Sequence, residues 1–470
     1  MNKNFKAAAL LLVVTFAFPL AATAQPVLIP GASLTGDDPD GTLVAFGDAY
    51  GVAATTWEDW LFVGAPRETA LRGGMEEQDG AVYAYRNVGG AWIFQQKLTI
   101  PGSAVIFGDR FGGGIEAAGG WLMVGAANDQ DFPGLVDPRA GIDFPDPFTF
   151  AGQVQVFRLN GSSWDFVQTL TAPEPKSGGS FGSRTQASHI AIESKGKVAV
   201  IGELNNYEDG IGQLHTFRVG PGGWEHVQSI DAPAVADSFG DDLVFVNDKY
   251  LVAGGNDTSD DELTIQGYIF VFQAQGSSGK FFAAPDQTIA GPVTVVVDCP
   301  IVGNNSFGAA GLDAGGGVVA VGDGCASGAA GAFTGAVSVY RLGGGPAPLA
   351  FEQTIEGDEP NLYMGANTFG ARHAVAVNES GDRIMAGTPS SSDINIFDDG
   401  ADVRVYAFDG ATWNEESNLT SSTPATGDLR AFGDAVFFLD DETALVRENN
   451  FLSPIISGLK GQGLIYDLTP

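Results

Sequence analysis

The sequence predicts an all-β fold, a seven-bladed β-propeller of four-stranded antiparallel blades, and three observations carry that prediction. Glycine supplies 66 of 470 residues while long helical runs are missing, a composition of turns and strands. One four-phrase motif recurs at a spacing of about 60 to 70 residues, too long for most helical solenoids and suited to a four-stranded unit. The phrase missing from the last copy is found at the N-terminus.

The first phrase is an aromatic residue followed by glycine: Tyr50-Gly51, Phe111-Gly112, Phe181-Gly182, Phe239-Gly240, Phe307-Gly308, Phe369-Gly370 and Phe432-Gly433. It leads into the innermost strand, where the ring can wedge between blades and the glycine admits a neighbouring backbone. The second is an apolar run ending in glycine: LFVGA at Gly64, LMVGA at Gly125, VAVIG at Gly202, LVAGG at Gly254, VVAVG at Gly322 and IMAG at Gly387, with a degraded TALVR ending at Arg447. These runs are continuously apolar because a sheet sandwiched between two others is buried on both faces. Short polar segments such as VNDKY and NESGDR between the first two phrases have the chemistry of tight hairpins.

The third phrase alternates β-branched and aromatic residues, as in GAVYAYR from Gly80, GQVQVFR from Gly152, GQLHTFR from Gly212, GYIFVFQ from Gly267 and GAVSVYR from Gly335. The fourth, as in WIFQQKL, WDFVQTL and WEHVQSI, occurs six times inside the repeats. PVLIPGA from Pro26 resembles KLTIPGS from Lys97, the end of a fourth phrase. The N-terminal segment should therefore complete the last blade and remove the open seam of a linear array. No single blade can bury its own faces, which is why the motif recurs.

The order aromatic-Gly, VGAP, GAVYAYR and W-x-x-x-Q-x-L resembles the FG-GAP repeat of integrin α-subunit propellers and their secreted bacterial relatives, over residues 26–470. The resemblance implies a seven-bladed propeller used for extracellular binding or adhesion. Such propellers often carry a D-x-D-x-D-G calcium loop between the first and second strands. The corresponding turns here (TTWED, AAGG, VNDKY, DAGGG, NESGDR, LDDET) are too short or too poor in spaced carboxylates, so no family calcium site carries over.

Residues 1–24 read as a signal peptide: a basic MNKNFK, a short apolar core and the small-residue site Ala22-Thr23-Ala24, leaving residues 25–470 as one propeller domain. The expectation is a secreted, periplasmic or extracellular monomer with no membrane insertion. With 23 Lys plus Arg against 57 Asp plus Glu, a formal charge of −34 repels phosphate backbones and argues against nucleic acid as a partner. Cys299 and Cys325 in an oxidising compartment are expected to form one disulfide.

Acidic clusters fall between the second and third strands, at 128–131, 205–210, 256–262 and 392–400. Solvated loops are one reading. Binding of calcium is the other, with Asp129, Asp131, Asp257, Asp260, Asp398 and Asp399 as ligands. The longest of these connections, 126–151, places Phe132, Phe144 and Phe148 among aspartates, a candidate contact patch for an extracellular protein or glycan. His189 and His373 fall in innermost strands, His215 in a third strand and His226 in a fourth, with no GxSxG or HExxH beside them. The functional expectation is thus a non-enzymatic secreted binding or adhesion propeller with no catalytic residues. The alternative is an extracellular polysaccharide-acting enzyme using carboxylates of the axial channel, favoured if His189, His373 and two or more carboxylates converge there.

Overall fold

Each copy of the repeat becomes one four-stranded antiparallel sheet, ordered from the innermost strand outward as in the sequence. The computed structural model describes residues 27–35 and the blades between 49 and 469, apart from connecting segments of which the longest are 102–109, 128–150, 205–211, 296–306, 389–401, 421–428 and 452–461. The inner strands of blades 1 to 7 are Ala54–Trp57, Phe111–Ala118, Ile190–Ile192, Ser238–Val246, Leu312–Gly315, Val375–Val377 and Leu429–Asp440. They touch one another in ring order, blade 7 against blade 1 included, and so surround a central channel. The architecture is a seven-bladed β-propeller. Among the described residues the one helical element is a three-residue 3-10 turn, Gly276–Ser278.

Closure follows the expected route. Val27–Thr35 pairs antiparallel with Gln462–Asp467, so the N-terminal segment is the outermost strand of blade 7 and covers an edge that would otherwise be unpaired. Hydrophobic clusters fill each gap between blades, with second strands such as Trp60–Ala65 and Val318–Asp323 buried along their whole length.

The glutamine of the fourth phrase has a structural cause. The Gln96 side chain donates from Nε2 to the Trp164 carbonyl (3.1 Å) and accepts from the Trp164 N–H (2.9 Å), clamping blade 1 to the outer strand of blade 2. Gln168 does the same to Trp224, Gln228 to Phe281, Gln287 to Leu349 and Gln353 to Trp413, with distances of 2.8–3.2 Å. A carboxamide offers an N–H donor and a carbonyl acceptor at the right spacing to satisfy one residue's backbone, so the five joints from blades 1–2 to blades 5–6 are each tied in this way.

Glycine ends the second strands for a steric reason. A Cβ on Gly202 would lie 2.6 Å from the Gly240 carbonyl oxygen, and one on Gly322 would lie 2.7 Å from that of Gly365. Gly64, Gly125, Gly254 and Gly387 meet Gly112, Gly182, Gly308 and Gly433 in the same way. The seventh joint breaks the rule. Arg447 takes the glycine's place, donates from Nε to the Tyr50 carbonyl (3.1 Å) and pairs with Asp434, both side chains buried. The degraded seventh copy is therefore a different kind of joint, a buried ion pair where the other six use close backbone packing.

Two details depart from the sequence reading. In blade 6 the lead-in glycine is Gly365, after Met364, rather than Gly370 after Phe369: Gly365 N–H donates to the Gly387 carbonyl, as Gly182 does to Gly202. Phe369 and Gly370 lie outside the described residues. The second strand of blade 4 runs on through Thr258, so Asn256 and Asp257 belong to a ladder opposite Gly267 and Gln266 rather than to a loop.

Candidate functional site

Ladder register fixes which residues share a height on the inner strands. Thr55, Glu116, Ala191, Val244, Asp313, Ala376 and Phe437 each stand opposite the third residue of their own second strand. Two of these seven equivalent positions are carboxylates, Glu116 in blade 2 and Asp313 in blade 5. Blades 2 and 5 are three apart, the widest separation a ring of seven allows. Each side chain keeps part of its surface open while protein surrounds it.

Burial pushes the Glu116 carboxyl up to about 8; the Asp313 charge adds to the effect, and a hydrogen bond with Thr55 opposes it. Burial also pushes Asp313 up to about 6, against the N–H groups of Val377 (2.7 Å) and Ala314 (2.8 Å) that its carboxylate accepts. The two carboxylates therefore share a height on the inner strands that surround the channel. The two shifts place the Glu116 carboxyl above neutrality and that of Asp313 below it, the separation that acid–base pairs use.

Both acids are held alike: Glu116-Ala117-Ala118-Gly119-Gly120 and Asp313-Ala314-Gly315-Gly316-Gly317 place the carboxylate at one offset before a glycine turn. Gly119, Gly120, Gly316 and Gly317 all have positive φ, which makes that tight reversal accessible without strain. The sequence reading took AAGG and DAGGG as turns only. The recurring acid three residues before the turn's first positive-φ glycine was the available signal.

The histidines separate into two settings. His373 is partly exposed, packs its ring on Phe437 of the carboxylate tier (5.0 Å between centroids), and is pushed down to about 4 by burial, so it is neutral at pH 7. His189 is fully buried, with its carbonyl accepting from Gly202 N–H. His215 and His226 lie away from the channel and meet at Ser229 on the outer strand of blade 3. At the joint of blades 7, 1 and 2, burial with Arg110 and Arg447 nearby lowers Arg67 to about 9. There burial also raises Asp434 to about 6 and lowers Arg447, each against the attraction of the other.

Of the sequence-derived metal candidates, Asp257 is placed on an exposed strand end beside Tyr268, whose hydroxyl is raised by burial and then by the Asp257 charge. Asp129, Asp131, Asp260, Asp398 and Asp399 lie outside the described residues, as do Phe132, Phe144, Phe148 and Cys299. Among the described residues no group of three or more His, Cys, Asp or Glu side chains is placed to hold a metal ion, and no helix is long and apolar enough to cross a membrane. Cys325 follows the second strand of blade 5.

No protein-family model matches the chain, and no curated protein matches it by sequence. Solved structures do resemble it. A candidate 6-phosphogluconolactonase from Bacteroides fragilis is 10% identical with a TM-score of 0.45, over 87% of this chain and 95% of its own. The periplasmic gluconolactonase of Pseudomonas aeruginosa is 14% identical with a TM-score of 0.43, over 66% of this chain and 77% of its own. A candidate 6-phosphogluconolactonase from Bacteroides uniformis is 9% identical with a TM-score of 0.41, over 78% and 83%.

At these identities the likeness speaks to fold alone. The expectation of a non-enzymatic adhesion propeller is corrected on one finding: these three propellers are described as lactonases, none of them as an adhesion protein. Glu116 and Asp313 are 197 positions apart by their numbers 116 and 313, so no local motif announces that they share a height on the inner strands.

Proposed function

We propose that the protein is a hydrolase whose active centre is the axial channel, acting on a C–O bond of a carbohydrate derivative such as a sugar lactone or a glycoside. One observation carries this reading: two carboxylates on one tier of the channel, with pKa values of about 8 and about 6. Glu116, protonated at pH 7, donates its proton to the departing oxygen. Asp313, ionised, takes a proton from the attacking water. Water's oxygen then bonds to the anomeric or acyl carbon as the old C–O bond breaks. Thr55 holds the Glu116 carboxyl, and the Val377 and Ala314 N–H groups hold that of Asp313. The strongly negative chain favours neutral substrates over anionic ones.

The test is hydrolysis by the purified protein of neutral sugar lactones, gluconolactone first, and of neutral glycans, with Glu116→Gln and Asp313→Asn alongside. Turnover that falls by about 10²-fold or more in either variant supports the assignment. Turnover unchanged in both sinks it.

Three further readings belong to this proposal. The FG-GAP character of the repeat is supported by its ordered phrases over residues 26–470, and export by the leader at residues 1–24. Calcium binding at Asp129, Asp131, Asp257, Asp260, Asp398 and Asp399 rests on their clustering without lysine between them, and a calorimetric titration with calcium at matched ionic strength decides it.

A further inference from the structure

Blade 3 contains a second constellation with chemistry of its own. Its second strand, Val198–Glu203, ends on Glu203; its third, Gln213–Gly220, carries His215; its outermost, Gly223–Asp231, carries His226 and Ser229. Ladder pairing sets His215 directly opposite Ser229. The His215 ring makes contacts from both nitrogens, Nε2 to Glu203 Oε2 at 3.0 Å and Nδ1 to Ser229 Oγ at 3.0 Å. Nε2 of His226 lies 3.2 Å from the same Ser229 oxygen. Glu203 and His215 are buried, whereas Ser229 and His226 face solvent.

With His215 neutral and Glu203 ionised, the hydrogens of this chain have one consistent assignment. A carboxylate only accepts, so His215 donates to Glu203 from Nε2. Its Nδ1 is then a bare lone pair and can only accept, so the Ser229 hydroxyl donates to it. In the tautomer protonated at Nε2, His226 completes the line by donating to the serine oxygen. Burial lowers the His226 imidazole, with a hydrogen bond to the Gln228 backbone opposing. The arrangement has the parts of an activated nucleophile: an accessible hydroxyl, a base whose tautomer is fixed, and a buried carboxylate that fixes it. The ring is held further by Phe181, 5.7 Å away between centroids.

We propose that Ser229 is a nucleophilic serine, with His215 as its base and Glu203 as a positioning residue, that accepts acyl groups from small esters at the outer edge of blade 3. Serine Oγ bonds to the acyl carbon while its proton passes to His215 Nδ1. The ester C–O bond breaks, and that proton goes to the leaving alcohol. Water then releases the acid by the same steps and restores the serine. This centre is separate from the channel and does not use Glu116 or Asp313.

The experiment is labelling of the whole protein with a fluorophosphonate, which forms a serine O–P bond and expels fluoride, followed by peptide mass mapping. The expected result is one adduct on the peptide containing Ser229. Labelling should fall at least about 100-fold in Ser229→Ala, an exposed change that leaves the fold intact, and about tenfold or more in Glu203→Gln. Gln95→Ala, an exposed change on the outer strand of blade 1, should label normally. A parent protein that stays unlabelled overturns the proposal, as does an adduct mapped to another residue or labelling retained in Ser229→Ala.

Discussion

Replacing Glu116 by glutamine should stabilise the propeller at alkaline pH and leave it nearly unchanged at acid pH. Its carboxyl is raised from the ordinary 4.5 to about 8, chiefly by burial. Between those values the folded protein holds a proton that the unfolded chain has released. The parent therefore loses stability as pH rises from about 4.5 to about 8, and no more above that. At about 1.4 kcal/mol per unit the displacement sets a ceiling of about 5 kcal/mol. The side chain still meets channel water, and the lower effective penalty of a hydrated site reduces this to about 2 to 3 kcal/mol. Glutamine is nearly isosteric with the protonated acid and does not titrate, so it removes the pH-dependent loss. Denaturant unfolding of parent and variant at pH 5 and pH 9 measures it. An advantage of equal size at both pH values, or none at pH 9, refutes the claim that burial holds Glu116 protonated.

Other consequences are equally specific. Gln168→Ala removes both bonds to the Trp224 backbone and should lower stability by about 2 kcal/mol in the same unfolding measurement, while Gln95→Ala, one residue from the Gln96 clamp and exposed, should change it by less than about 0.5 kcal/mol. Gly202→Ala drives a methyl group to 2.6 Å from a backbone oxygen and should cost about 2 kcal/mol or more, whereas Gly344→Ala, with nothing within 4 Å, should be tolerated. Linking Cys299 to Cys325 predicts an intact mass 2 Da below that of the reduced chain and no thiol reactive toward iodoacetamide in the native protein, both read by mass spectrometry.

The blades were legible because each repeat obeys one local rule at a fixed offset. Tyr50-Gly51 and LFVGA announce their strands without reference to any distant residue. Closure by Val27–Thr35 was legible for the same reason, as a phrase missing from one end and present at the other. The lead-in of blade 6 was misplaced because Phe369-Gly370 satisfies the pattern better than Met364-Gly365, and the hydrogen bond of Gly365 to Gly387 and its close approach to Gly322 appear only in the folded chain.

The candidate site was hidden for a different reason. Glu116 and Asp313 look like ordinary turn residues, and their meaning comes from a shared height that requires the ladder register of both blades. Ser229 and His215 lie in two strand phrases that alternate as any strand does. Their contact depends on cross-strand pairing, which periodicity does not specify. The substitution of Arg447 for glycine was visible as a degraded copy, but its partner Asp434 and its role in the ring-closing joint were not.

The most direct test of the account is the pH dependence of kcat/KM for whichever neutral sugar substrate the protein turns over, corrected for spontaneous hydrolysis. With Asp313 as base and Glu116 as acid, the profile should be a bell, rising through about pH 6 and falling through about pH 8. Asp313→Asn should remove the acid limb and Glu116→Gln the alkaline limb, each with a rate reduced by about 10²-fold or more. A profile flat from pH 5 to pH 9, or a bell preserved in both variants, would contradict catalysis by the channel carboxylates.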